Sequence, residues 1–245
     1  KQQPAWATSW GVRPRTLGTL ILAPADDDGV ILPPRVAPQQ IVILPVTPKP
    51  DTREAVIDSC EALARTLRSQ TYAGEPIRVH VDKRDLPGGA RNWEWIKKGV
   101  PLRVEIGPRD IENRTVMVGR RDLGAKAKEA MPKEDFIQNV EDILSQAQSN
   151  LLDRALTLRN EHTKKLETFD EFKAFFTPKN ADKPEIHGGF ALMHWAGTSE
   201  DEDKLSAEFK TTIRCIPLGD EYVEEGKCFF TGKPSSRRVV FAKSY

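Results

Sequence analysis

The stretch GVPLRVEIGPRD (99–110) sets charged residues into an apolar segment at a spacing suited to recognising a nucleobase. Arg103 and Glu105 are two residues apart, so on a strand they point to one side, opposite Leu102 and Val104. Arg109 follows a Gly-Pro pair, where a side chain projects freely from a turn. A guanidinium matches the O6/N7 edge of guanine with two hydrogen bonds, and a carboxylate accepts from guanine N1–H and N2–H. Single-stranded RNA loops expose those edges and offer bases for stacking; Trp93 and Trp95 lie just upstream as stacking platforms. The same residues also suit a surface strand carrying an Arg–Glu pair worth under about 1 kcal/mol, with both Trp in the core. Residue types and spacing leave both readings open.

These residues need a sheet to hold them. IVILPV (41–46) is a short apolar run of the kind found in a strand buried on both faces. Residues 51–69 put Val56, Cys60, Leu63 and Leu67 at helical spacing, with Asp51 as a candidate cap. IRVHVD (77–82), PLRVEIG (101–107) and TVMVGRRD (115–122) read as strands, and GARNWEWIKK as a short helix or turn. This order predicts an α/β fold with a sheet and flanking helices over 39–130. A long amphipathic helix is predicted from 133 to about 165, its stripe formed by Phe136, Val140, Ile143, Ala147, Leu151, Ala155 and Leu158. A small α+β block completes a third segment, 131–245, with strands at GFALMHW, TTIRCIP and SRRVVFAKSY and a helix at SEDEDKLSAEFKT. Residues 1–38 hold an apolar run, LGTLILA (17–23), of the kind that packs inside a domain, then PADDDG and the extended ILPPRVAP. That segment is too small to bury a core of its own.

The 245 residues suit one or two domains, and 38% hydrophobic with 30% charged residues suits a soluble globular protein. Net charge is +1, which excludes a broadly basic nucleic-acid coat while leaving room for a local basic patch. Three widely spaced Cys argue against a disulfide framework and suit a reducing, cytoplasmic compartment. No apolar run approaches the ~20 residues that span a bilayer, so no membrane partner is expected.

GVPLRVEIGPRD, ARNWEWIKKGVP and VGRRD together resemble the anticodon-binding domain of prolyl-tRNA synthetases of the archaeal and eukaryotic type. TSWGVRPRTLGTLILAPADDDGVILPPRVAPQQIVILPV resembles that family's motif 3 and connector, and GKCFFTGKP…RRVVFAKSY its C-terminal domain. The resemblance spans essentially the whole chain. It implies that 1–38 is the tail of a class II catalytic domain, 39–130 the anticodon-binding domain and 131–245 the C-terminal domain. The chain would then be the back part of a longer enzyme that uses ATP to join proline to its tRNA. By itself, without motifs 1 and 2, it is expected to be inactive. Proline tRNA, the rest of the catalytic domain and a second copy in the intact enzyme are the implied partners; a free-standing RNA-binding module derived from a synthetase is the alternative.

By the same resemblance, Arg15 is the motif 3 arginine that contacts ATP phosphates. Arg103 and Arg109 match residues that contact two guanines of the proline anticodon. Ile96 occupies the position at which the family places a contacting Glu, with Glu94 two residues earlier as a substitute, and Arg91 matches a basic residue expected to touch the RNA backbone. Relatives often hold zinc in the C-terminal domain; the matching positions here are Ala196, Asp201, Cys228 and Thr231, a set too poor in ligands for a closed tetrahedral site. Without zinc, the turn is expected to rest on packing by Phe229 and Phe230. Cys215 is expected to be buried on a strand, and His187 and His194 do not restore the ligand set. Tyr245 matches a C-terminus that reaches back to the active site.

Overall fold

The computed structural model describes residues 7–47, 50–178, 180 and 188–243. Two compact units divide between Ala155 and Leu156. The first carries α1 (Pro14–Leu22), β1 (Ile41–Pro45), α2 (Arg53–Arg68), β2 (Thr71–Tyr72), β3 (Glu75–Pro76), β4 (Val79–Val81), α3 (Gly88–Lys97), β5 (Leu102–Ile106), α4 (Pro108–Asn113), β6 (Thr115–Arg120), β7 (Lys128–Pro132) and most of α5 (Lys133–Glu161).

Its main sheet runs β4-β1-β5-β6-β7. Strands β4, β1 and β5 are parallel; β6 and β7 add antiparallel. Strand β1 is buried at every residue because it is sandwiched. Ile41 and Ile43 join one core with Val56, Cys60, Leu63 and Leu67 of α2 and Phe136, Val140 and Leu144 of α5. Val42 and Leu44 join a second with Trp95 of α3 and Val100. The period-two alternation of a strand thus feeds two helical layers. Leu102, Val104 and Ile106 face the α2/α5 side, which turns Arg103 and Glu105 toward the α3 side.

Several expectations change here. The sequence predicts a domain boundary at 130–131, but residue 130 lies inside β7, and the first turns of α5 help close the first core. The stripe on α5 fades after Leu151: Ala155 and Leu158 are exposed. Asp51 lies in a 3₁₀ turn rather than at the cap, and Thr52 occupies the N-cap of α2. The Gly-Pro turn opens the six-residue helix α4, with Pro108 at its start and Asp110 Oδ2 accepting from Gly107 N–H at 2.8 Å. LGTLILA forms most of α1, but none of that helix is buried, and Leu17 and Leu22 stand 61% and 75% exposed.

The connector is sewn to the sheet. Gln40 donates to Pro34 O at 3.1 Å and accepts from Arg78 N–H at 2.9 Å. Arg78 donates to Ala37 O at 3.0 Å and, more weakly, to the carbonyls of Pro34 and Arg35. Further upstream, Val30 N–H donates to Lys97 O and Leu32 N–H to Gly99 O. Gly99 has φ +72°, and a Cβ there would lie 2.6 Å from Val30 O, so only glycine ends α3 under the connector. Arg121 completes the attachment: fully buried, it donates to both carboxylate oxygens of Asp26 at 2.6 and 2.5 Å and to Gly29 O at 3.0 Å.

The second unit holds the end of α5, then β8 (Thr163–Lys165), α6 (Phe169–Phe176), β9 (Phe190–His194), α7 (Ser199–Phe209), β10 (Thr211–Cys215), β11 (Val223–Lys227) and β12 (Pro234–Lys243). The sheet runs β10-β12-β9-β8, with β11 also pairing to β12. Its core is aromatic: Phe172, Phe176 and Phe241 are buried, with Trp195, Phe209, Phe229 and Phe230 packed against them. Helices α6 and α7 both open on capping boxes, Thr168 with Glu171 and Thr198 with Asp201. Among the described residues no helix is long and apolar enough to cross a membrane.

Candidate nucleic-acid interface

The parallel strands β1, β4 and β5 end at one edge of the sheet; Arg109 follows the end of β5, Arg103 and Glu105 lie along its α3 side, and Arg91 and Glu94 stand on α3 itself. Open α/β sheets receive ligands at the carboxyl ends of such strands. Arg103 on β5 is only 1% exposed. Its Nε donates to Asn92 Oδ1 of α3 at 2.9 Å, its Nη2 donates to Ala125 O at 3.0 Å, and its Nη1 is buried without a partner. Gly119 lies directly opposite on β6, and a Cβ there would come within 2.9 Å of Nη2, so the guanidinium occupies the space that this glycine leaves. Burial, reinforced by the charge of Arg121, lowers Arg103 to about 10, still a cation at neutral pH.

The other positions separate into occupied and open groups. Glu105 is half-buried and ion-paired with Lys128 of β7. Glu94 bridges Lys98 at 2.6 Å and Arg84 at 2.9 Å, and these two partners hold its carboxyl below the usual range. Arg109 on α4 is exposed. The two tryptophans part company: Trp93 is 41% exposed with Lys97 Nζ 5.8 Å from its ring centre, while Trp95 is buried and donates from Nε1 to Asp82 Oδ2 at 2.8 Å. Trp95 is therefore a core residue, as the blander reading has it. Ile96 is buried.

Arg91, expected at an RNA backbone, is buried instead. It donates to Pro45 O and Asp82 O, both at 2.7 Å, clamping the ends of β1 and β4. These carbonyls sit past the last ladder bonds, and a guanidinium is the donor that satisfies both at once.

Asp82 is the residue that sequence reasoning passed over. Its fully buried carboxylate accepts from Arg84 Nε and Nη2 at 2.9 and 2.8 Å, from Arg84 N–H at 3.1 Å and from Trp95. The Arg84 bonds first, and then the indole, hold it far below the usual carboxylate range against the opposing effect of burial. A depressed folded value means the stabilisation is present above the unfolded pKa and declines as pH falls below about 4. Asp82→Asn is accordingly expected to cost about 1–3 kcal/mol at pH 7. Urea midpoints at pH 7 and pH 3.5 check the sign: the gap between variant and parent narrows on acidification.

Residues 40–143 match the family model described as the anticodon binding domain, and residues 182–245 match that of the prolyl-tRNA synthetase C-terminal domain. The chain is 51% identical to proline–tRNA ligase 2 of Anaeromyxobacter dehalogenans over 245 residues, covering 98% of this chain and 48% of the relative. It is 50% identical to the proline–tRNA ligase of Protochlamydia amoebophila (98% and 47% covered) and 48% identical to that of Akkermansia muciniphila (100% and 47%).

The chain belongs to the prolyl-tRNA synthetase family. It spans about half the length of the curated relatives it matches. Within this synthetase frame, the C-terminal unit can be read at its zinc-type positions. Cys228 is buried and its Sγ accepts from Thr231 N–H at 3.4 Å. Burial pushes the Cys228 thiol up, but hydrogen bonds involving Thr231, Ala196 and Phe230 outweigh it and the net shift is downward. Asp201 is committed to the cap of α7, accepting from Thr198 N–H at 3.0 Å. Among the described residues no cluster of three or more His, Cys, Asp or Glu could hold a metal ion. Phe229 and Phe230 pack against the core, where Phe229 stacks on Phe172 at 5.0 Å. Cys215, expected to be buried, is exposed near the end of β10, and His194 is buried with its ring against Gly226. His187 and Tyr245 lie outside the described residues.

Proposed function

We propose that this chain is the tRNA-reading half of an enzyme that joins proline to proline tRNA at the expense of ATP, and that its first unit reads guanines of the anticodon. The observation that carries the reading is the Nη1 group of Arg103. It is a buried donor on a cation, left unpaired while its sister nitrogens are bonded. A native structure rarely leaves such a group unsatisfied without a use for it, and the acceptor edge of guanine suits it once RNA binding uncovers a side chain that is 1% exposed in the free protein. Arg109, exposed on α4, supplies a second cation, and Trp93 a surface on which an unstacked base can rest. Glu105 and Glu94, now paired with lysine or arginine, would exchange those partners for guanine N–H donors. Arg91 serves by holding the strand ends rather than by touching RNA.

In the same reading Arg15, exposed on α1, belongs to the ATP site of the complete enzyme, where an arginine neutralises phosphate charge. The apolar face of α1 is then covered by the catalytic domain, and the complete enzyme pairs with a second copy. The half described here performs discrimination, not bond-making.

The test is binding of proline tRNA to Arg103→Met and Arg109→Ala. Arg103→Met keeps the aliphatic stem and removes a buried charge that has no counter-ion, so the fold is expected to hold. Affinity should fall roughly 10- to 100-fold for Arg103→Met, the range for a lost bidentate base contact. Should both variants bind as tightly as the parent, the readout assignment is wrong.

A further inference from the structure

The geometry points to Asn92 as a positioning residue: its neutral amide oxygen, together with the Ala125 carbonyl and the gap at Gly119, aims the Arg103 guanidinium at an electron-rich base edge while leaving its charge uncompensated. This inference rests on the reading of Arg103 given above. Asn92 stands one turn into α3, on the face toward β5, and its Oδ1 meets Arg103 Nε at 2.9 Å. The second acceptor, Ala125 O, belongs to the loop between β6 and β7. Each is a dipole, not a charge. Among the described residues no carboxylate forms an ion pair with Arg103, although Glu105 is two residues away on the same strand. Lys128 draws the Glu105 carboxylate toward β7. Nor is there a carboxylate at position 96, where an isoleucine is buried.

This distribution has a chemical meaning. Two neutral acceptors fix the plane of the guanidinium and use one donor on Nε and one on Nη2, so Nη1 is held in direction but not quenched. A carboxylate in the same place would hold the plane as well, yet it would also satisfy the charge and compete with an incoming acceptor. Gly119 is the steric half of the device, because any side chain there would push Nη2 off the Ala125 carbonyl.

Asn92→Asp separates positioning from mere packing. It keeps an oxygen near Arg103 Nε but brings a formal negative charge. The thermal midpoint is expected to stay or rise, since a buried cation gains a counter-ion, while affinity for proline tRNA falls by roughly tenfold, the weight of one charge-assisted hydrogen bond. A purely structural asparagine would move both quantities in one direction. Asn92→Ala, which frees the guanidinium, should weaken tRNA binding as well, and the Nε–H proton of Arg103 should lose its protection from solvent exchange in NMR spectra. Binding of proline tRNA by Asn92→Asp and Asn92→Ala as tight as the parent, with Arg103→Met weakened, overturns the positioning role alone. Unaltered binding by Arg103→Met overturns the underlying reading too.

Discussion

Arg121→Ala is expected to lower the stability of the first unit by about 3–5 kcal/mol, the range for breaking a buried ion pair from one side. The side chain is 0% exposed and serves four acceptors: both oxygens of Asp26, Gly29 O, and Ile96 O at 3.3 Å. Removing it takes one donor each from Gly29 O, Ile96 O and Asp26 Oδ1, which keep main-chain partners, and leaves Asp26 Oδ2 without its guanidinium donor; it also opens a void under the turn that follows β6. Asp26 is one-third exposed, so Asp26→Asn can recover water and should cost only about 1–2 kcal/mol. Arg121→Lys should not rescue, because an ammonium cannot span a carboxylate and two carbonyls in one plane. Hydrogen exchange offers the sharpest readout. Protection at Val30 and Leu32, whose amides bond to Lys97 and Gly99, should drop first. A loss under about 1 kcal/mol in chemical unfolding would mean that the pair is an ornament of the fold rather than its anchor.

The second large effect is expected in the other unit. Phe172→Ala should destabilise residues 163–243 by about 3–5 kcal/mol, the usual cost of deleting a buried aromatic ring. Phe172 is fully buried, with Phe176, Phe229, Phe209 and Phe241 at centroid distances of 4.9, 5.0, 5.5 and 5.6 Å. Edge-to-face and offset-stacked pairs of this kind add to what burial alone provides. The turn carrying Cys228 has a single sulfur and main-chain hydrogen bonds to hold it, so it leans on these rings. Near-UV circular dichroism together with amide exchange measures the outcome. Protection retained across β9 and β12 in the variant would show that the cluster can collapse around the loss.

How much of this was legible in the residues depends on the range of the signal. Strand β1, helix α2 and strands β5 and β6 announce themselves by periodicity within a dozen residues, and they lie where the pattern puts them. Strand β7 escaped because KEAMP is mostly exposed and has no alternation to read. The β2–β3 hairpin is only two residues to a strand, and α4 only six residues long, too short for any period to register. The ion pair of Asp26 with Arg121 joins residues 95 apart, which no local pattern encodes.

The site was half legible. The spacing of Arg103 and Glu105 correctly put them on one face, but spacing says nothing of what covers that face. Gly119, a glycine inside an apolar strand, was the one sequence signal that something approaches closely there. Asp82 and Asn92 carried no signal, since acidic and amide residues near strand ends are ordinary. Arg91 misled for the opposite reason: a basic residue near a recognition segment invites a phosphate, whereas two unsatisfied main-chain carbonyls claimed it first.

The stitching of residues 26–40 has a mechanical corollary. With Gln40, Arg78, Gly99 and Arg121 fastening it, the incoming polypeptide has no slack where it meets the sheet. A tug applied upstream of Ala23 is delivered through Val30 and Leu32 to the last turn of α3, the same rod that carries Asn92 and Trp93. Fastening this close predicts that the segment and the last turn of α3 shift together rather than independently.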